Sequence, residues 1–128
     1  MRELTGHKVN GCNDEITIEV MDEPGHGGAC HDYVVSLPAK GRYPKVINGV
    51  VSYAIPFQNG PINEVGTNGL THEVLLAILI DRLEGFQSGQ YACQENADAL
   101  GLLKSAQCLL KSRTEKRLAR GVEGTHTV

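Results

Sequence analysis

The fold of this chain is decided by the stretch Thr71-His-Glu-Val-Leu-Leu-Ala-Ile-Leu-Ile-Asp-Arg-Leu-Glu-Gly-Phe86, which the sequence predicts to be a helix. The Thr71 hydroxyl can accept from a backbone N–H of the first turn, and the helix dipole favours the acid Glu73 there. From Val74 to Ile80, apolar residues occupy every side of this helix. Such a helix must be covered on more than one side. We therefore expect part of the cover to come from a second copy of the chain.

A second, longer helix is predicted to begin between Tyr91 and Asn96 and to end near Arg120. Its apolar residues recur at steps of three and four, which is the helical period, as Ala99, Leu102, Leu103, Ala106, Leu109 and Leu110. The pattern covers roughly 25 to 28 residues, or about 40 Å. Ser88-Gly89-Gln90 separates the two helices, and Gly121 suits the left-handed position past a helix end. The two helices make an antiparallel hairpin over about 71–120.

Residues 16–57 are predicted to form a small antiparallel β unit. Ile16 to Val20 alternates apolar and polar residues, and His31 to Leu37 follows as a second strand after a glycine-rich loop. Lys45 to Phe57 is strand-like, and Asn48-Gly49 within it is typical of a type I′ hairpin turn.

The segments around this β unit show less regular patterns. Residues 1–14 are polar, with Asn10-Gly11 as a turn, and are expected to be a frayed or loosely docked end. Residues 58–70 are rich in glycine and asparagine and are predicted to be a connecting loop without a regular element. A polar, glycine-rich segment before a helix N-terminus is suited to bind an anion or a nucleotide edge. The sequence thus predicts one α+β domain over 1–128, in which the hairpin occupies 71–121.

Composition and charge narrow the function. A net charge of −3 and a pI of 5.9 do not suit a general nucleic-acid binder. The longest apolar run, Val74 to Ile80, is far shorter than the roughly 20 residues that span a membrane. The four cysteines lack CxxC spacing, which indicates reduced thiols in a cytosolic protein. We expect no DNA, RNA or membrane partner, no cofactor and no metal.

Basic residues concentrate at the end of the second helix, where 111–120 contains five of them and one acid. Arg113, Arg117 and Arg120 fall on one face, and the planar fork of arginine matches phosphate oxygens. The alternative is that these cations complement the helix dipole. Phe86 has two interpretations as well: it stacks on a base, or it packs in the core after Leu83.

Catalytic motifs are missing from the sequence, which contains no GxSxG elbow, Walker loop or HExxH. This favours a binding protein over an enzyme. A nucleotide phosphodiesterase, with His26, His31 and Asp32 as metal or acid–base groups, is one alternative. A structural or adaptor protein, whose basic helix end contacts an acidic partner, is another.

Four strings, spread over about residues 16–128, resemble the phage Thoeris anti-defence sponge family. They are Asp22-Glu-Pro-Gly-His-Gly-Gly-Ala-Cys-His31, Phe57-Gln-Asn-Gly-Pro-Ile-Asn-Glu-Val-Gly-Thr-Asn-Gly69, Asp81-Arg-Leu-Glu-Gly-Phe-Gln87 and Arg117-Leu-Ala-Arg-Gly-Val-Glu-Gly-Thr-His126. Members share a helical hairpin with a phage anti-CBASS sponge. The resemblance implies a phage or prophage protein in the host bacterial cytoplasm. It would bind the glycocyclic ADP-ribose isomers that TIR-domain defence enzymes release, and sequester them without cleavage.

The resemblance also implies roles for individual residues. Phe86 would stack on the adenine, Arg113 and Arg117 would clamp the phosphates, and Asn96 and Asp98 would be polar ligand contacts. The glycine-rich segment before the hairpin would close over the ligand from a partner subunit, with the candidate residues Asn59, Gly60 and Asn68.

Some relatives are hexamers that bind cyclic dinucleotides or trinucleotides at separate sites. By the same resemblance, Arg120, Gly121 and His126 would line a three-fold pocket for such a ligand. We therefore expect a homo-oligomer, at least a dimer and by resemblance a hexamer.

Overall fold

The computed structural model describes residues 1–38 and 49–128, and they form two compact units, Met1–Asn59 and Gly60–Val128. The first contains a four-stranded antiparallel sheet and the second contains the long helices. The α+β class predicted from the sequence is confirmed. That the whole chain is a single domain stays a prediction.

The sheet consists of β1 (Arg2–Leu4), β2 (Thr17–Val20), β3 (Asp32–Pro38) and β4 (Val50–Pro56), paired in that order. The predicted hairpin of the second and third of these is confirmed, with Val20 opposite Tyr33. Alternation along the strands places Val20 and Val51 in the small core of this unit, where both are buried. Of the strand-like segment that begins at Lys45, the structure describes Gly49 onward, so the expected Asn48-Gly49 turn and the loop before it lie outside the described residues.

The first fifteen residues differ from the expectation of a frayed end. β1 pairs with β2 through Arg2 opposite Val20, so the sheet starts at the beginning of the chain and not at residue 16. The dipeptide Asn10-Gly11 begins a short helix, α1 (Gly11–Glu15), because the Asn10 side chain accepts from the Asn13 N–H at 2.8 Å. Asparagine serves both as a turn residue and as a helix cap, and here the second role applies.

The glycine-rich loop between β2 and β3 is organised by Asp22. Its carboxylate accepts from the backbone N–H of His31 at 2.8 Å and from that of Asp32 at 3.1 Å. The bond from the His31 N–H is the main reason that the pKa of Asp22 lies below its usual value, since it stabilises the charged form.

Residues 58–70 contain a regular element that the sequence did not predict. One helical turn, α2 (Ile62–Val65), follows Pro61, whose carbonyl accepts from the N–H groups of Glu64 and Val65 at 3.0 Å each. Four residues are too few to produce a periodic pattern, so proline and glycine composition alone indicated a loop.

The helical hairpin is confirmed. α3 (His72–Gln87) begins at the predicted cap, where the Thr71 hydroxyl accepts from the Val74 N–H at 3.2 Å. α4 (Gln94–Ala119) has 26 residues, and Gly121 follows it with a φ of 72°, which favours glycine. The Cys93 sulfur caps α4 by accepting from the Asn96 N–H at 3.5 Å. Across the described residues, no helix combines the length and apolar character needed to cross a membrane.

Candidate functional site

The hairpin carries one group of candidate residues at its turn end, which we define as Phe86, Asn96 and Asp98. Phe86 lies in the last turn of α3 with 43% of its surface exposed, so it is not a core residue within one chain. Asn96 and Asp98 lie at the start of α4, where Asn96 is half-buried. The exposed Asp98 carboxylate accepts from the Gln94 side-chain amide at 2.8 Å. Exposed aromatic and carboxylate groups and a half-buried amide thus occur at the same end of the hairpin, and groups of these kinds bind nucleosides.

Arg82 joins this group, although sequence reasoning did not single it out. Its guanidinium carbon lies 5.6 Å from the centroid of the Phe86 ring, within the range of a cation–π contact. The two residues are four positions apart on α3, and residues at that spacing are neighbours on a helix surface. That four-residue spacing is the signal in the sequence that links Arg82 to Phe86.

A second group lies at the other end of α4, which we call the open end, where Arg113 and Arg117 occur. Arg113 is exposed and makes no hydrogen bond or ion pair with the part of the chain that the structure describes. Its guanidinium can therefore accept an anion without breaking an internal contact.

Arg117 is engaged by its own chain. Its Nε donates to the Glu123 carboxylate at 3.1 Å, and its terminal nitrogens donate to the main-chain oxygens of Val122, Thr125 and Thr127 at 3.0, 3.3 and 2.6 Å. Only 21% of the side chain is exposed. Arg117 therefore organises the segment that follows α4, and a phosphate would have to replace some of these acceptors.

The 122–128 segment folds back on α2 and on the end of α4. The Asn63 N–H donates to the Gly124 oxygen at 3.1 Å, the His126 Nε2 lies 3.2 Å from the Glu64 carboxylate, and Arg120 donates to the Val128 oxygen at 2.9 Å. Arg120 and Gly121, at the end of α4, and His126, in the segment that folds back, are thus all located at the open end. Asn63 and Glu64 were missed because they are about 60 positions away in sequence, and no local pattern indicates so distant a contact.

The remaining candidates come from the glycine-rich segment. Asn59 belongs to the first compact unit, while Gly60 and Asn68 belong to the second. Gly60 has a φ of 96°, and a Cβ there would lie 3.2 Å from the Val65 Cγ2. Local packing against α2 therefore already requires glycine at this position. Asn59 and Asn68 are exposed.

The structure does not bring the two ends of the hairpin together. Asp98 and Arg113 are fifteen residues apart on one helix, which is about 22 Å at a rise of ~1.5 Å per residue. The polar candidates at the turn end and Arg113 at the open end are therefore about four helical turns apart on the same chain.

The hairpin is also the part of the chain that known proteins share. A sequence model described as the Acb2/Tad1 hairpin domain matches residues 52–115, which is half of the chain. This chain belongs to the Acb2/Tad1 hairpin-domain family. The matched part of the Acb2/Tad1 domain contains Phe86, Asn96, Asp98 and Arg113, and it ends before Arg117 and the 122–128 segment.

A similar protein is Thoeris anti-defense 1 of Bacillus phage SBSphiJ7. It is 47% identical over 72 residues, which make up 56% of this chain and 51% of the relative. The matched part of the chain thus spans about half the length of that curated relative.

The residues of the phosphodiesterase alternative belong to the first compact unit. His31 is 7% exposed, and its Nδ1 lies 4.0 Å from the Asp22 carboxylate, so the ring is packed inside the loop. The Asp32 N–H donates to the same carboxylate. Within residues 1–38 and 49–128, no cluster of three or more His, Cys, Asp or Glu side chains is placed to hold a metal ion.

Proposed function

We propose that this protein is a non-catalytic phage anti-defence protein that sequesters cyclic nucleotide immune signals in the host bacterial cytoplasm. The ligands would be glycocyclic ADP-ribose isomers, and their capture would silence Thoeris defence. Membership of the Acb2/Tad1 hairpin-domain family and the name of the Bacillus phage relative support this proposal.

One observation supports the ligand chemistry: the hairpin has an exposed aromatic ring, Phe86, and an exposed arginine, Arg113, that bonds to no residue in the described ranges 1–38 and 49–128. Base–aromatic stacking contributes about 1–3 kcal/mol, and the arginine fork can hold a pyrophosphate through two parallel hydrogen bonds. Asn96 and Asp98 supply an amide and a carboxylate for ribose hydroxyls. Adenine, pyrophosphate and ribose are the three parts of the proposed ligand.

The site would be formed by two copies of the chain. Because Asp98 and Arg113 are about 22 Å apart along α4, we assign the turn-end residues and the Arg113 of one site to different chains. Two hairpins packed antiparallel would place the turn end of each copy against the open end of the other. A two-fold dimer of this kind contains two equivalent sites.

The surface of the hairpin supports such packing. On α3, Val74, Ile78 and Leu79 are 44%, 54% and 47% exposed, and on α4 Leu102 and Leu109 are each 72% exposed. Exposed apolar side chains in a group this large are typical of protein interfaces. A partner hairpin would bury them, and each buried methylene would contribute about 0.8 kcal/mol.

Arg117 would bind the ligand phosphate as a second arginine only if it gave up some of its present hydrogen bonds. The Glu123 carboxylate and three carbonyl oxygens occupy its donors, so a phosphate must displace at least part of this set. Arg113 is therefore the primary phosphate ligand of the proposal, and Arg117 joins it when the 122–128 segment rearranges.

The proposal extends to a hexamer with a second kind of site. Arg120, Gly121 and His126 lie together at the open end, and three copies around an axis would concentrate positive charge there for cyclic dinucleotides or trinucleotides. Size measurement and competition binding with a cyclic trinucleotide test this part.

The experiment that tests the proposal is capture and release. The protein is incubated with glycocyclic ADP-ribose, free ligand is removed by filtration, and the protein is heated to about 95 °C before the filtrate is analysed. Intact ligand in the filtrate is the expected result. A converted product would indicate the phosphodiesterase. Absence of captured glycocyclic ADP-ribose would overturn the proposal that the protein sequesters this ligand. A ligand bound to the folded state must stabilise it. If no nucleotide then raised the melting temperature, the adaptor function would be favoured.

A further inference from the structure

We propose that Arg82 is a positioning residue for the Phe86 ring, which it holds in place for stacking on a purine. The guanidinium occupies one face of the ring and leaves the opposite face for the base. This inference rests on the proposed function for the purine, whereas the contact itself belongs to the ligand-free protein.

The Phe86 ring is the only partner of the Arg82 guanidinium in the described part of the chain. Its Cζ lies 5.6 Å from the ring centroid, and it makes no hydrogen bond or ion pair there. The nearby acid Glu84 is taken by Lys104, whose Nζ lies 3.6 Å from it. An exposed arginine that stacks on an aromatic ring instead of pairing with a carboxylate is placed to act on that ring.

Positioning matters here because Phe86 is nearly half exposed and lies in the last turn of α3. A ring with so few packing partners can change rotamer, and each change would remove the stacking surface. The cation is attracted to the ring face by its quadrupole, which favours the observed arrangement. It also draws electron density towards itself, so the opposite face becomes a better partner for an electron-rich purine.

A direct contact between Arg82 and a ligand phosphate is the competing role, and a double-mutant cycle separates the two. If Arg82 acts through Phe86, its replacement affects binding only while the ring is present. If Arg82 binds phosphate, its replacement weakens binding whether or not the ring is there.

The ligand-free contact can be measured by nuclear magnetic resonance with labelled phenylalanine. The chain has two phenylalanines, and Phe57 packs edge-on against Tyr33 in the first unit, with ring centroids 5.5 Å apart. Phe57 is therefore an internal reference. Arg82→Met should shift the Phe86 ring resonances and leave those of Phe57 unchanged. The matched control Lys104→Met, which removes an equal charge from the hairpin, should move neither. Unchanged Phe86 resonances in Arg82→Met would overturn the inference.

Binding of glycocyclic ADP-ribose completes the test. Arg82→Met should weaken affinity about 2- to 5-fold, the effect of an exposed cation–π contact, while Lys104→Met should not. Arg82→Lys should retain part of the affinity. In a Phe86→Leu background, Arg82→Met should have no further effect. An equal loss in both backgrounds would reject the positioning role in favour of phosphate binding. If the wild-type protein binds no ligand, the proposed function and the purine role fail together, whereas the ring resonances still decide the contact.

Discussion

At the scale of single residues, Arg113 and Arg117 show that the same type of side chain can be exposed without partners or hydrogen-bonded within the described part of one helix and its C-terminal segment. They are four positions apart on α4, so the sequence gives them similar surroundings. Arg113 is exposed, and no residue that the structure describes bonds to it, while Arg117 donates four hydrogen bonds to residues 122–127. The sequence predicted a shared phosphate role, which nothing yet tests. Arg117 reaches residues 122–127 because the chain turns back after Gly121. The helical pattern of α4 gives no information about this turn.

Replacing Arg117 should release the segment that it holds. Arg117→Met removes a charged donor from four acceptors, and hydrogen bonds to charged groups contribute about 1.5–3 kcal/mol. We expect the amides of residues 122–127 to exchange with solvent roughly 10- to 100-fold faster. Hydrogen exchange measures this directly, with Arg113→Met as the matched control. Equal protection in both variants would show that other contacts hold the segment.

Phe86→Ala and Arg113→Ala should each weaken binding of glycocyclic ADP-ribose at least ~10-fold, because each removes one principal contact. Both side chains are exposed in the single chain, so the fold and the assembly should persist. Titration calorimetry measures the affinities, and circular dichroism with light scattering checks the protein. Wild-type affinity in both variants would mean that the site lies elsewhere.

At the scale of elements, the sequence predicted the parts with a sustained period and missed the short ones. α3 was found from its threonine cap and its continuous apolar run, and α4 from the glycine break before it and apolar residues at steps of three and four. β1 has three residues and α2 has four, which is too short for a period to emerge. At Asn10 the same residue type suits a turn or a cap, and only the bond to Asn13 distinguishes them.

The apolar surface of α3 provides an element-scale prediction. Ile78 is 54% exposed in the single chain, so α3 should tolerate the substitution Ile78→Lys. In the proposed assembly, however, the partner hairpin would bury the lysine charge without a pairing group. We expect the assembly to fall to a monomer while helix content is retained. Light scattering and circular dichroism measure the two properties.

Gln90→Lys is the control for this substitution, because it adds the same charge at the exposed turn between the helices. It should leave the assembly unchanged. If Ile78→Lys also leaves the assembly intact, this face of α3 is not the interface.

At the scale of the whole molecule, the proposed function requires that two copies of the chain combine their candidate residues into one ligand site. The sequence identified the aromatic ring and the arginine and predicted the length of the second helix, which the 26 residues of α4 confirm. It could not connect α2 with the 122–128 segment, since the bond from Asn63 to Gly124 joins residues about 60 positions apart. Long-range contacts of this kind depend on tertiary packing, which local patterns do not encode.

The central claim, a ligand site shared between two copies, is tested most directly by mixing two weakly binding variants at a ligand concentration near the wild-type Kd. Phe86→Ala and Arg113→Ala are unfolded together, refolded as a mixture and assayed for captured glycocyclic ADP-ribose. A mixed dimer combines an intact Phe86 from one copy with an intact Arg113 from the other at one of its two sites. Random pairing should therefore restore about a quarter of the wild-type capacity. A mixture that captures no more than the separate variants, although mass spectrometry detects mixed dimers, would contradict the shared site.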